Sequence, residues 1–391
     1  MSANIITSLV PVIYRALDTI PRELVGCIPA VRRWPSQVRV AKNQTITFPI
    51  VPKMTMASIV PAAIAGPDAS GITVGNDSLS MTNVYSVDFP WTGEEAAGLD
   101  SSGLFAPVLQ DEFAQAFRVI ANGIEADLCA LAAGASRAYG VSSTVAFSTA
   151  DDLSDLNFTK KILKDNGAPQ GDLHLVLDTN THATMQSKQT VVYKANEYGS
   201  REGILMGTLA MLQGVNIHES GGIVNHTAGT SSNNVVNSSA GLAIGTTTIP
   251  AHSGSGTILA GDVVRFATSS DAIYADQYVV KTALNAGAFT IAEPGLKIAA
   301  ASEAAITVMG SHAQNFMFDR NAIVLISALP NLPPGGDIAA DTKIVVDPVS
   351  GLQFEIAIYK QYMQNTWSVR AAWGVKVVKP AFIAKLLTKI A

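Results

Sequence analysis

Charge is what this sequence has least of. Asp, Glu, Lys and Arg make up 15% of its 391 residues, well under the ~25% of an ordinary soluble domain, so much of the surface is neutral and small-residued. Such a surface suits burial against neighbours. There is no basic excess either: 26 Lys+Arg stand against 31 Asp+Glu, a net charge of −5, which excludes a free-standing nucleic-acid binder held by phosphate contacts. Long apolar runs are missing. No stretch stays apolar for the ~18 residues a membrane-crossing helix needs, and the uncharged stretch 227–261 is too rich in Ser, Thr, Asn and Gly to enter hydrocarbon. The apolar residues 1–10 have no positive charge ahead of them and meet Pro11 at once, so no secretory signal is expected. Cysteine is scarce: Cys27 and Cys129 are too far apart in sequence for a disulfide framework or a zinc site, and both are expected as packed thiols in a reducing cytoplasm.

Catalytic signatures are missing too. The chain has no Walker loop, no GxSxG elbow, no HExxH and no CxxC. Its six histidines, His174, His182, His218, His226, His252 and His312, never fall three or four residues apart, so no two share a helical face for a metal. Glu94 and Glu95 suggest a general acid/base pair, but adjacent residues on a strand point to opposite faces, and a charge pair with a neighbouring subunit is the better reading. Asp151, Asp152 and Asp155 open a helix, where carboxylates favour the dipole. Arg32 and Arg33 beside Trp34 are expected to pair with carboxylates of a partner rather than to stack on nucleic acid. No catalytic, cofactor-binding or metal residue is assigned, and no cofactor is expected.

What the sequence does have is an order of segments. Residues 1–45 hold a short amphipathic piece at 5–17, then Pro21, Pro29 and Pro35, a density that denies a compact unit its ladder hydrogen bonds and predicts an extended arm. Residues 46–90 alternate, break over a Pro/Gly/Ala-rich middle and alternate back from 79 to 89, which predicts a long β-hairpin. Between residues 54 and 85 only Asp68 and Asp77 are charged. That is odd for a loop in water and apt for one lying on another subunit, with Ile59, Val60, Ile64 and Ile72 as its anchors. Leu109, Phe113, Phe117, Ile120, Ile124, Leu128 and Leu131 then step three or four apart, a stripe predicting a helix over 107–133. A mixed region follows: helices at 153–166 and 179–187, strands at 173–177 and 214–219, and a further segment at 198–205. Short β-prone runs at 242–249, 257–267, 277–284, 289–292 and 305–309 predict a small barrel inserted at 226–310. Its loop 267–276, with Asp271 and Asp276, is expected to meet Arg or Lys of a neighbour. The mixed pattern resumes at 316–329, and long strands at 352–359 and 366–374 close the chain.

This order resembles the major capsid proteins of tailed bacteriophages, the Hong Kong 97-like fold, and most of all the short-tailed-phage coat proteins with an inserted β-barrel. The likeness rests on Asn4-Ile-Ile-Thr-Ser-Leu, on Phe89-Pro-Trp-Thr-Gly-Glu-Glu95, on the helix strings Glu112-Phe-Ala-Gln and Glu125-Ala-Asp-Leu, and on Trp373-Gly-Val-Lys-Val-Val-Lys-Pro380. Leu259-Ala-Gly-Asp-Val-Val-Arg-Phe266 with Gln277-Tyr-Val-Val280 resembles the insertion. The resemblance implies an α+β fold: N-terminal arm 1–45, extended loop 46–90, peripheral domain 91–135 and 343–391 with a long spine helix, central axial domain 136–225 and 311–342, and inserted β-barrel 226–310. It implies a structural protein rather than an enzyme, self-assembling into hexamers and pentamers of an icosahedral shell around double-stranded DNA. The DNA would be held by weak non-specific contact, and the partners would be a scaffolding protein, a portal and, on some shells, a decoration protein, with no membrane. The expected place is the virion capsid, assembled in the host bacterial cytoplasm. The alternatives are an encapsulin-type compartment of the same fold and an enzyme of unrecognised type. In the cross-linking member of the fold a loop lysine bonds covalently to a neighbour; residues 54–85 here contain no lysine, so that route is closed.

Overall fold

The computed structural model describes residue 13 and residues 26–50, 74–101, 105–188, 211–267, 276–347 and 350–390. Among these the fold is α+β, with one long helix and two large sheets.

The helical stripe forms one element, Phe105–Ala130, prolonged by a 3-10 turn at Leu131–Gly134. Its 26 residues span ~39 Å at ~1.5 Å per residue. Leu109, Phe113, Phe117, Ile120, Ile124 and Leu128 are buried along one face. That face meets the six-stranded sheet, where Phe354, Ile356, Ile358, Trp367, Val369 and Trp373 complete the core. Phe113 sits edge-on to Phe89 and Trp367, at centroid separations of 5.2 and 5.4 Å, a geometry favoured by the ring quadrupoles.

The six-stranded sheet is organised on Gln364–Val377, a 14-residue strand. Asn83–Thr92 pairs antiparallel along one edge; Gln353–Gln361 and then Ile323–Pro330 occupy the other. Asp341–Val346 lies beyond Gln353–Gln361. Arg32–Val40 adds in parallel to Ile323–Pro330, at the end of the sheet. The prolines of the arm therefore do not keep it off a sheet. Pro35 sits on an edge strand, where a missing N–H is tolerated, and the register shifts between Pro35 and Arg39.

The hairpin differs from expectation in where its returning run goes. Thr45–Ile50 pairs with Gly75–Ser80 as a separate two-stranded ribbon, and after Met81 the chain leaves the ribbon to pair with Gln364–Val377. Period-two alternation runs through both segments and does not say which partner each takes. Glu94 and Glu95 lie not on a strand but in the helix Gly93–Asp100, capped by Thr92.

The second sheet has thirteen strands. Its central part sets Val215–Glu219 parallel to Leu173–Leu177, then His312–Asp319 and Ile383–Thr388 antiparallel, then Arg137–Gly140. Leu156 and Leu163 of the helix Ser154–Asp165 pack with Leu173, Leu175, Met317 and Leu386. Gln277–Asn285 continues the sheet by pairing Gln277 with Ala138 and Tyr278 with Arg137. Around it Val263–Phe266, Ala288–Ile291, Thr248–His252 and Ile306–Val308 enclose a separate core of Ile249, Phe266, Val280, Phe289, Ile291 and Ile306. The strand expected at 242–249 is displaced to Thr248–His252 and the one expected at 257–267 is shortened to Val263–Phe266, because Gly245 (φ +86°) and Gly261 (φ +90°) turn the chain. Residues 5–12, 14–17 and 198–205 lie outside the described residues.

Candidate functional site

Three carboxylates on the spine helix hold three other parts of the chain. Glu112 Oε2 accepts from the Trp91 indole at 2.6 Å. Asp127 Oδ2 accepts from the Trp373 indole at 2.7 Å and from Asn83 Nδ2 at 2.6 Å. Glu125 is buried and accepts from the backbone of Cys27 (2.7 Å) and Ile28 (3.0 Å) and from Ser220 Oγ (2.6 Å). Burial raises the Glu125 carboxyl above its usual range, and the bonds from Ser220, Cys27 and Ile28 oppose the rise. The strand edge, the longest strand and the end of the arm are thus each tied to one helix by charge-assisted hydrogen bonds.

At that tie the two cysteines meet. Cys27 Sγ lies 3.3 Å from Cys129 Sγ, and both residues are buried. Their separation in sequence hid this, since the arm folds back onto the helix.

The arm is fastened a second time by Arg39, whose guanidinium forks onto the buried Glu355 (Nη2–Oε1 2.6 Å, Nη1–Oε2 3.0 Å) and also donates to the Pro330 carbonyl at 2.8 Å. Midway along the ribbon Lys376 Nζ pairs with Asp77 and donates to the Ser78 carbonyl at 2.6 Å. In sequence the ribbon's two strands are joined by the nearly uncharged segment 51–73, which lies outside the described residues.

Exposed apolar residues gather elsewhere on the six-stranded sheet. Its hairpin tip shows Tyr362 at 92% and Met363 at 66% exposure, and Ile338 shows 92%. A cavity of about 670 Å³ beside the tip is lined by Trp91, Ala97, Phe105, Lys360, Met363 and Trp367.

Two histidine groups lie in the second sheet. His174 Nδ1 is 3.0 Å from His218 Nε2, and His174 Nε2 is 2.8 Å from Asp172. Burial, helped by His174 and Arg320, lowers His218 to about 4. His226 meets Asp262 at 2.7 Å, and Lys385 Nζ, fully buried, donates to the Gly261 carbonyl at 3.0 Å. Burial brings Lys385 to about 7 against the pull of Asp262. Burial, then Lys385, brings His312 to about 4. Helical spacing missed both groups, because strand register and not sequence distance joins them. Among the described residues no nucleophile, base and orienting group converge on a substrate-sized cleft.

The expected interface residues are scattered. Arg32 stacks on Trp34 (5.3 Å to the ring centroid) and reaches Asn321 at 3.5 Å. Burial lowers Arg33, with Arg320 adding to the effect. Glu95 closes a capping box with Thr92, and it and Glu94 are exposed. Asp276 pairs at 2.9 Å with the buried Arg137 guanidinium of its own chain. Asp152 accepts from Ser154 N at 2.8 Å, while Asp155 turns away from the helix start to take Phe147 N at 2.6 Å. Ile59, Val60, Ile64, Ile72 and Asp271 lie outside the described residues.

No family model matches the sequence, and no curated protein does. Solved structures do. The chain is similar to one in the capsid of the cyanophage P-SCSP1u, at 11% identity and a TM-score of 0.45 over 92% of this chain and 87% of that one. It is also similar to a chain of Mycobacterium phage Che8, at 12% identity and a TM-score of 0.43 over 89% and 85%. A chain of a virus-like particle from Pyrococcus furiosus gives 8% identity and a TM-score of 0.43 over 97% and 98%.

Proposed function

We propose that this chain is a phage-type major capsid protein, a structural subunit that assembles with copies of itself into hexamers and pentamers of a closed icosahedral shell around double-stranded DNA. The observation that carries the reading is the separate ribbon Thr45–Ile50 with Gly75–Ser80. Two strands alone are marginal in water. Among the described residues this pair is held to the sheet by Leu79 and Met81, which share a core with Val40, Val324, Ile326 and Ala372, and by Lys376, and it leads into a segment whose sequence is apolar and almost free of charge. Such an element gains stability by lying on another copy, which removes its apolar side chains from water. The arm on the sheet edge, the exposed tip at Tyr362 and the low overall charge fit many modest contacts per subunit, each weak enough to correct and collectively strong.

In this reading scaffolding protein and portal are assembly partners, a decoration protein is an outer one, and assembly takes place in the bacterial cytoplasm before the subunit resides in the virion. Residues 226–310 form an inserted domain: the Phe266, Phe289 and Ile291 core supports it. The Gln277–Asn285 pairing to Arg137–Gly140 would orient it on the central domain.

Electron micrographs of the purified protein, with and without scaffold, test the proposal. Closed particles are expected, and enclosed DNA separates a capsid from a compartment that holds protein cargo. A strictly monomeric protein under every condition would overturn it.

A further inference from the structure

The chain's two cysteines are 102 positions apart and yet in contact. The backbone N–H groups of Cys27 and Ile28 grip the Glu125 carboxylate, one helical turn before Cys129, so the short helix Cys27–Ala30 is seated with its first side chain on the second thiol. At 3.3 Å the sulfurs already touch, and a covalent bond of ~2.05 Å asks for a movement of only ~1.3 Å. Glu125 lies close enough to complete a metal site with the two thiols. Its two oxygens, however, are spent on two backbone donors and the Ser220 hydroxyl, which leaves two sulfurs where a structural zinc takes four ligands.

We propose that Cys27 and Cys129 are a redox modification site, closed by a peroxide to an intrachain disulfide that staples the end of the arm to the spine helix. One thiolate sulfur attacks a peroxide oxygen; the O–O bond breaks, hydroxide leaves and takes up a proton as water, and a sulfenic acid forms. The second sulfur displaces that hydroxyl as a second water while the S–S bond forms, so two thiols lose two electrons and one hydrogen peroxide becomes two waters. Burial, with Cys129 and the Glu125 carboxylate adding to it, pushes the Cys27 thiol well above its usual range. Cys27 is therefore a slow nucleophile near neutral pH. The inference rests on this sulfur pair and not on the shell reading.

The test uses the full chain, reduced and desalted, then treated with hydrogen peroxide, denatured and labelled with maleimide. Wild type should pass from two reactive thiols to none, yield a peptide joining Cys27 to Cys129, and recover both thiols with dithiothreitol. Half of the oxidised sample is re-reduced before a thermal melt, so that methionine oxidation is common to both halves; the disulfide form should melt higher. Cys129→Ser and Cys129→Ala should show no such difference between halves. Thiols that survive peroxide in the folded protein, a loss dithiothreitol does not reverse, links only between chains, or zinc bound with both thiols protected would each overturn the assignment.

Discussion

The Trp373 indole N–H donates to Asp127 Oδ2 at 2.7 Å, and the same oxygen accepts from Asn83 at 2.6 Å. One carboxylate thereby ties the longest strand, its neighbour and the spine helix together. Asp127→Ala should leave both donors without their acceptor and cost about 1–3 kcal/mol. Asp127→Asn, which keeps a carbonyl oxygen, should cost less. Urea unfolding of the two variants checks the order.

Arg39→Ala removes both hydrogen bonds to Glu355, which has no exposure of its own. An uncompensated buried carboxylate costs about 3–5 kcal/mol, and partial exposure of the arginine reduces this to roughly 2–3. Arg32→Ala, at an exposed stack, should stay within ~0.5 kcal/mol. Equal losses in thermal melts of the two variants would contradict this account of the arm.

Acid should weaken the fold well above the carboxylate range. His218 and His312 titrate near 4 when folded, against 6.5 when free. Between those values the unfolded chain binds more protons, so stability falls as pH drops from about 6.5 to 4, by at most roughly 3.4 kcal/mol per histidine. Lys385, near 7 when folded and 10.5 when free, acts in the same direction at higher pH: stability rises from about 7 to 10.5. Lys385→Met should flatten the alkaline part of the profile of unfolding free energy against pH, and His312→Gln the acid part.

Ile64→Asp adds a charge to the nearly uncharged segment 51–73. The subunit should fold with an unchanged far-ultraviolet spectrum while assembly is hindered, as light scattering would record. Normal, heat-stable shells would remove residues 51–73 from the interface.

Residues 226–310 expressed alone should give a β-rich circular dichroism spectrum and a cooperative melt, because their core of Ile249, Phe266, Phe289 and Ile291 is their own. An unfolded fragment would mean that the pairing with Arg137–Gly140 and the Lys385 bond to Gly261 are required for its fold.

Local periodicity carried much of this architecture. The stripe from Leu109 to Leu128 placed the spine helix to within a few residues, and the apolar run Leu173–Leu177 was legible as a buried strand, because a helix buried on one face repeats every 3.6 residues and a strand covered on both faces reads as one apolar run. The strings around Trp91, Glu112, Asp127 and Trp373 were legible as well, though as separate words; only packing showed that they bond to one another. Alternation said that residues 79–89 are strand, and not that the chain changes sheets at Met81. Nor does spacing bring Cys27 to Cys129, His174 to His218 or Arg39 to Glu355. Composition and periodicity determined the elements and the neutral surface. Which elements meet was decided by tertiary structure, because strand register and the return of the arm depend on the whole core closing at once, and no local pattern records that.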